Sequence, residues 1–408
     1  MHTNRTYPRR SFLKGLAGAP VALAYAQKPS GAVGKTASIA DEIREARDPD
    51  TKARLLYLTG GSSDNVHLYF TSESFVSGSD SIVFGSNRSG RYQMYMLEIG
   101  KRRIVQLTDR EGIRPTMACL AGGQLHYFHG PVLRSLRLDT LEDRELYTVP
   151  KGWNAHLPTC TADGKFVAFS YVQDQAVSTE TGRIYSTMAE QFYQRRNSVI
   201  MRVNTSTGQP AAAWGDAAWI SHVMIHPTQP DIILFCHEGG SHSPQRMWTV
   251  NMSVDRGRKA VPLYSQRPNE YCVHEYWTRG GEVGYQYEVE RDGKMEHYNC
   301  CIRADGTWVR QYLLPGPRPG HIQSNTKNTL VVGDRAFLSP EDKDGSKFMS
   351  LMTHSNGRAQ VRRLCRHQPG PTQFSHGHPV FSLDDKWVLF NSRIGERENI
   401  CMADVESI

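Results

Sequence analysis

The strongest constraint in this sequence is a unit that recurs along most of its length. Each copy has a short apolar strand ending in a large residue, a polar turn and a second strand. Often a third follows, closing on a segment such as Gln106-Leu107-Thr108. The clearest copy runs Ser81-Ile82-Val83-Phe84, Gly85-Ser86-Asn87-Arg88, Gln93 to Leu97, then Ile104 to Thr108. Anchored on the last residue of the first strand, the copies fall at Phe84, Phe128, Phe169, Phe235, Tyr285, Val332 and Phe390. Their spacing, from 41 to 66 residues, suits a four-stranded unit with insertions in its loops. Long amphipathic helical patterns are absent. The expected fold is therefore all-β, a seven-bladed β-propeller, with a β-sandwich or two smaller β domains as the alternatives.

The ends of the chain fit a closed ring. The seventh copy has strands near His378 to Phe381, Trp387 to Phe390 and Ile400 to Val405, and then stops one strand short. Residues Ala53-Arg54-Leu55-Leu56-Tyr57-Leu58-Thr59 have the pattern of a fourth strand but precede the first copy. Pairing that strand with the last blade would close the ring and cover an exposed edge. Residues 51–408 then form one propeller domain, and 27–50 a linker or N-terminal extension.

The first 26 residues read as a targeting segment. Arg9-Arg10-Ser11-Phe12-Leu13-Lys14 resembles a twin-arginine export motif, followed by a modestly apolar stretch and a small-residue site at Ala24-Tyr25-Ala26. The expectation is a periplasmic or secreted protein that crosses the membrane already folded. No later stretch approaches the roughly 20 apolar residues needed to span a bilayer, so no stable membrane insertion of the mature protein is expected. The net charge of +7 is spread along the chain without a basic run, which argues against nucleic acid and leaves an acidic sugar compatible. The eight cysteines show no CxxC pair and no paired spacing, hence no zinc ribbon and no dense disulfide framework.

In a propeller the innermost strand of each blade lines the central channel. His156 lies 13 residues before its anchor, His222 13, His274 11, His321 11, and His376 and His378 14 and 12. Five consecutive blades thus place histidine at the start of the innermost strand. One such histidine is usually a satisfied core residue; several converging on one axis suggest a metal. On an extended strand His376 and His378 share a face, His321 can add a third nitrogen and Gln373 an amide oxygen. This set is neutral, so a divalent ion would keep its full charge for a substrate. By affinity alone the set would prefer zinc or copper over manganese.

Five segments together resemble the oligogalacturonate lyase family. They are Phe235 to Gly239, Arg246-Met247-Trp248, His274-Glu275-Tyr276-Trp277, Gly320 through Asp334, and Gln373 to Phe381. The resemblance covers blades four to seven, and the N-terminal half matches mainly as repeats, with 65–75 a weaker echo. It implies a metal-dependent carbon–oxygen lyase that cleaves oligogalacturonides by β-elimination, with manganese on His321, Gln373, His376 and His378. It further implies His274 as Brønsted base and Arg246 as its assistant at the carboxylate. His237 and His242, near Arg246 in sequence, are candidate substrate contacts. The segment between His237 and Arg246 is shorter than the family pattern, and the channel side of blades one to three differs. A lyase for another uronic-acid polysaccharide and a non-catalytic propeller that binds protein through one face remain the alternatives. The insertion from about Gln173 to Arg196 is expected to act as a lid or substrate-binding loop.

Overall fold

The computed structural model describes residues 31–175, 188–254, 259–370 and 376–407. Their regular structure is nearly all β, and one α-helix, Met188–Tyr193, occurs among the described residues. The strands form antiparallel meanders in which each pairs mainly with its neighbour in the chain. Five sheets have four or five strands. A sixth has eight and consists of two meanders, 270–313 and 322–366, joined by a single parallel pair, Leu313 with Arg358. This is the architecture of a β-propeller.

The anchor of every repeat lies on the second strand of its meander, with a further strand before it. Several of those leading strands have only two or three residues, among them Asn65–His67, Trp153–Ala155, Ile322–Ser324 and Val380–Phe381. Such lengths are too short for alternation to register as a pattern. The anchors themselves are at most 2% exposed. They pack between successive sheets: one core cluster joins Phe128 to Phe169, and another joins Leu234 and Met247 to Tyr285 and Ile302. The cluster that holds Phe84 and Leu97 of the first sheet also holds Leu389 and Ile400 of the last.

Strand Arg54–Tyr57 pairs antiparallel with Arg397–Asp404, which places an N-terminal strand on the last meander. The segment expected as an extension is folded as well. Its strand Arg44–Arg47 pairs with Arg54–Tyr57, and its strand Thr36–Ser38 pairs with Arg103–Gln106 on the outer edge of the first sheet. Residues 1–26, with the twin-arginine motif, lie outside the described residues. The eight cysteines are free thiols, seven of them buried and Cys160 half-buried. No helix among the described residues is long and apolar enough to cross a membrane.

The short helix rests on the loop after strand Ile232–His237, where two glycines have positive φ, Gly239 at 145° and Gly240 at 54°. A Cβ on Gly239 would lie 2.5 Å from the Phe192 ring, and one on Gly240 2.7 Å from Met188 Sδ. A side chain at Gly239 is therefore excluded by conformation and by space alike, and one at Gly240 would displace the Met188 side chain.

Leu55 is 4% exposed in a cluster with Phe381 and Phe390, while the neighbouring Arg54 faces solvent beside Glu45. Leu55→Glu buries an uncompensated charge and should cost about 3–5 kcal/mol. Arg54→Ala loses only a surface pair and should cost about 1 kcal/mol or less. Urea denaturation of the two variants reads the difference.

Candidate active site

Histidines from successive meanders converge on one cavity of about 560 Å³, lined by His156, His222, His274, His321 and His376. Two of them arrive by the same device. In strand Ile220–Ile225, pairing with the second strand shifts between Ser221 and Met224, so His222 and Val223 oppose the anchor Phe235. In strand Glu270–Trp277 it shifts between Val273 and Tyr276, so His274 and Glu275 oppose the anchor Tyr285. Each is a β-bulge, which kinks the strand and re-aims a side chain. The first bulged residue is left-handed in both, His222 at φ 45° and His274 at 54°, and His378 adopts φ 44° just before the last inner strand. A non-glycine residue there costs roughly 1–3 kcal/mol, which only surrounding packing can sustain.

His321, His376 and His378 form the candidate metal centre, with ligand atoms all within 4.8 Å of one another. The Nδ1 of His321 is 2.9 Å from Asp334 Oδ2, so the ring would present Nε2 to an ion. Asp334 Oδ1 also accepts the backbone N–H of His321. His378 is fully buried, and neither of its ring nitrogens has a hydrogen-bond partner. Burial, reinforced by His321 and His67, holds its pKa well below the usual histidine range. Burial likewise lowers His376, again with His321 contributing. An unsatisfied, neutral, wholly buried imidazole is costly unless something coordinates it, so the site fits a divalent ion. The fourth expected ligand, Gln373, lies outside the described residues.

The loop that carries two of these ligands is held from several sides. Asn391 donates through Nδ2 to the His376 carbonyl and through its backbone N–H to the Gly377 carbonyl, and its Oδ1 accepts from the His67 backbone. The His67 ring lies between Ser74 Oγ at 3.3 Å and the Gly377 carbonyl at 3.4 Å, and burial lowers its pKa to about 4. Glycine is needed on both sides of Asp334. A Cβ at Gly320 would lie 2.4 Å from its Oδ1, and one at Gly377 2.9 Å from its Cβ.

The ring of His274 lies 4.7 Å from that of His321. Its Nδ1 is 2.8 Å from Gln286 Oε1, and Gln286 Nε2 donates to the Pro319 carbonyl, which can only accept. The amide orientation is thereby fixed, Nδ1 carries the proton, and Nε2 keeps the lone pair. The 3.4 Å approach of Arg318 Nη1 to the same Nδ1 is then a contact rather than a hydrogen bond. Burial, then the charges of His321 and Arg318, push the His274 pKa well below its ordinary value, while the Gln286 bond opposes them.

Arg246 lines the same cavity but is already engaged with acids. Its Nε and Nη2 hold Glu275 in a bidentate pair at 2.9 and 3.2 Å, and Nη1 holds Glu238 at 2.9 Å. Burial would raise Glu238, but Arg246 overrides it and brings its pKa to about 2. The Nδ1 of His222 is 3.3 Å from Glu275, close enough for an ion pair but poorly aligned for a hydrogen bond, and its Nε2 meets Tyr69 Oη at 3.2 Å.

The two candidate substrate contacts fare differently. His237 is not brought to the cavity: its ring packs against Trp248 and lies 3.7 Å from Asp216. His242 is exposed and packs against Phe192 and Tyr193 of the short helix, whose Met188 lines the cavity. Of the insertion 173–196, residues 176–187 lie outside the described residues, and Met188 reaches the cavity lining. Sequence reasoning missed His67, Tyr69, Asn391 and His367, the last a lining residue whose Nε2 lies 2.7 Å from the Asp334 carbonyl. The first two lie in the weakly matching segment 65–75, and the others show no pattern of their own.

Comparison with known proteins decides the family. The family profile described as oligogalacturonate lyase matches residues 32–408. The chain belongs to the oligogalacturonate lyase family. An oligogalacturonate lyase of Dickeya dadantii (strain 3937) is 25% identical over 352 residues, covering 83% of this chain and 89% of that protein. An oligogalacturonide lyase of Pectobacterium atrosepticum is 24% identical over 354 residues, with the same shares covered. Among solved structures, an oligogalacturonate lyase in complex with manganese superposes with a TM-score of 0.80 at 24% identity, over 91% of this chain and 98% of that one. The enzyme from Vibrio parahaemolyticus gives 0.80 at 22% identity, over 92% and 99%.

Asp334→Asn keeps the shape of the side chain but removes the charge behind His321. It should weaken divalent-ion binding about 10–100-fold, read by competition with a chromophoric chelator.

Proposed function

We propose that this lyase of oligogalacturonides works by β-elimination, with His274 as base and His321, Gln373, His376 and His378 as the metal set. The observation that carries the reading is the gathering of three histidines, their ligand atoms within 4.8 Å of one another, with a fourth, differently partnered one beside them. The reaction removes the C5 proton of a uronate, weakly acidic because C5 adjoins the C6 carboxylate, and breaks the bond from C4 to its oxygen. A divalent ion at the histidines would draw off negative charge developing on that carboxylate. Manganese is the ion we favour, in line with the solved relative that contains it.

His274 is suited to take the proton. Its Nδ1–H is held by Gln286, its Nε2 lone pair is available, and burial keeps it neutral. Arg246 uses three of its five N–H groups on Glu275 and Glu238, and those remaining are what it can offer a substrate carboxylate. His242, on the loop whose Gly240 lines the cavity, is kept as a candidate contact to substrate. We read the sheets as a closed ring of seven blades, the eight-stranded sheet counting as two. We also propose export of the folded enzyme through the twin-arginine route, on the strength of Arg9-Arg10 and the residues after them.

The test follows the absorbance of the 4,5-unsaturated product near the ultraviolet edge, on oligogalacturonides with metal supplied. His274→Ala should lower kcat roughly 10²–10⁴-fold while the protein still binds the ion. His376→Ala should lose both activity and ion, and loss of the ion in both variants would refute the division of roles. Because the active base is unprotonated and its pKa is depressed, kcat/KM should hold as pH falls through about 6.5 and decline only below it. A pH–rate profile with its acid limb at or above that value would count against His274.

A further inference from the structure

Four arginines line the cavity, and they divide by partner. Arg246 is paired with Glu275 and Glu238, and Arg318 with Glu288. Arg114 and Arg335 have no acidic partner among the described residues, and both are open to solvent. Arg114 lies in the stretch between Ile113 and Ala118 where the inner strand of the second sheet leaves its pairing register opposite the anchor Phe128. Partial burial lowers its pKa, with no acid acting the other way. Arg335 follows Asp334, beyond the end of strand Leu330–Gly333.

The two reach the cavity from different meanders, Arg335 beside the Asp334 that holds His321 and Arg114 from the inner strand of the second sheet. The charge of Arg335 is felt by His376, in the metal set, and that of Arg114 by His156, in the third meander. The lining therefore carries two guanidinium groups outside any ion pair among the described residues, Arg335 lying next to the Asp334 carboxylate that feels its charge, in addition to the candidate ion position. An oligouronide carries one carboxylate on every residue. A cavity of about 560 Å³ falls within the range that encloses a ligand of a few rings.

We propose that Arg335 and Arg114 bind the carboxylates of uronate residues flanking the one that reacts, Arg335 on the metal side and Arg114 on the far side. The proposal rests on the reading of the cavity as the lyase site. It makes the two arginines determinants of specificity for short oligomers with free rather than esterified carboxylates. A guanidinium matches a carboxylate with two parallel hydrogen bonds, and a methyl ester cannot complete that pair. A site built for a charged group rejects the analogue lacking it far more strongly than a site built on apolar contact.

The experiment compares wild type with Arg114→Gln and Arg335→Gln, using trigalacturonate and its methyl-esterified form. Steady-state rates are measured directly, and binding is measured by calorimetry in a His274→Ala background, where no turnover intervenes. Each substitution should raise KM and Kd for the free acid about 10–100-fold, leave kcat within a few-fold, and shrink the preference for acid over ester. Chelator competition should show divalent-ion binding unchanged, and Arg335→Lys should restore part of the affinity. Unchanged Kd with unchanged ester discrimination would overturn the proposal, as would an equal loss on both substrates. If wild type cleaves no oligogalacturonide, the lyase reading fails, and the calorimetric arm still decides whether these arginines bind carboxylates.

Discussion

Everything at the site depends on burial of the second strand in each meander. Phe84, Phe128, Phe169, Phe235, Tyr285, Val332 and Phe390 are sealed between neighbouring sheets. A strand buried on both faces cannot slip by one residue without turning its whole apolar set the wrong way. That rigidity lets the strand in front of it be irregular. The bulges at His222 and His274 each oppose one of these sealed residues, so a fixed backbone holds the kink open. The left-handed conformations at His222, His274 and His378 are local costs met by the packing behind them.

This arrangement explains what could be read from the sequence. The repeat was legible because its anchor is a large apolar residue that no loop insertion can move. The offset of the histidines from their anchors was legible because the turn between the first two strands of each meander is short, which keeps the offset between 11 and 14 residues. The leading strands were hard to see: Val380–Phe381 has two residues and Ile322–Ser324 three, and neither can show a period. The bulges left no trace either, because histidine in a left-handed conformation carries no sequence mark of the kind glycine does. Strand Thr36–Ser38 is exposed throughout and has no hydrophobic pattern to betray it, although it pairs with Arg103–Gln106.

The site was legible in its donors and less so in its supports. His321, His376 and His378 could be grouped because they are histidines at matching depths in neighbouring repeats. His67 contacts the loop that carries two of them across the junction between the first and last meanders, 310 residues away in the chain, and Asn391 bonds it from the next strand of the same meander. Arg246 shows a second limit. Residue type suggested a carboxylate partner, and it has two, both from the protein itself. Residue type cannot distinguish an arginine whose charge is compensated from one, such as Arg114, whose charge is not.

The same distinction separates the two central histidines. The rings of His274 and His321 lie 4.7 Å apart in a shared environment, so burial alone cannot give them different roles. Their partners can. The Nδ1 of His321 faces the carboxylate of Asp334, which makes the opposite nitrogen a stronger donor to a cation. The Nδ1 of His274 faces the amide oxygen of Gln286, which fixes the same tautomer without adding negative charge. A carboxylate there would favour the imidazolium and occupy the lone pair with a proton before substrate arrived. The amide leaves His274 oriented and neutral. On the proposed reading one imidazole is thus fitted to hold a cation and the other to accept a proton, and the difference is set by Asp334 and Gln286, each facing the Nδ1 of its ring.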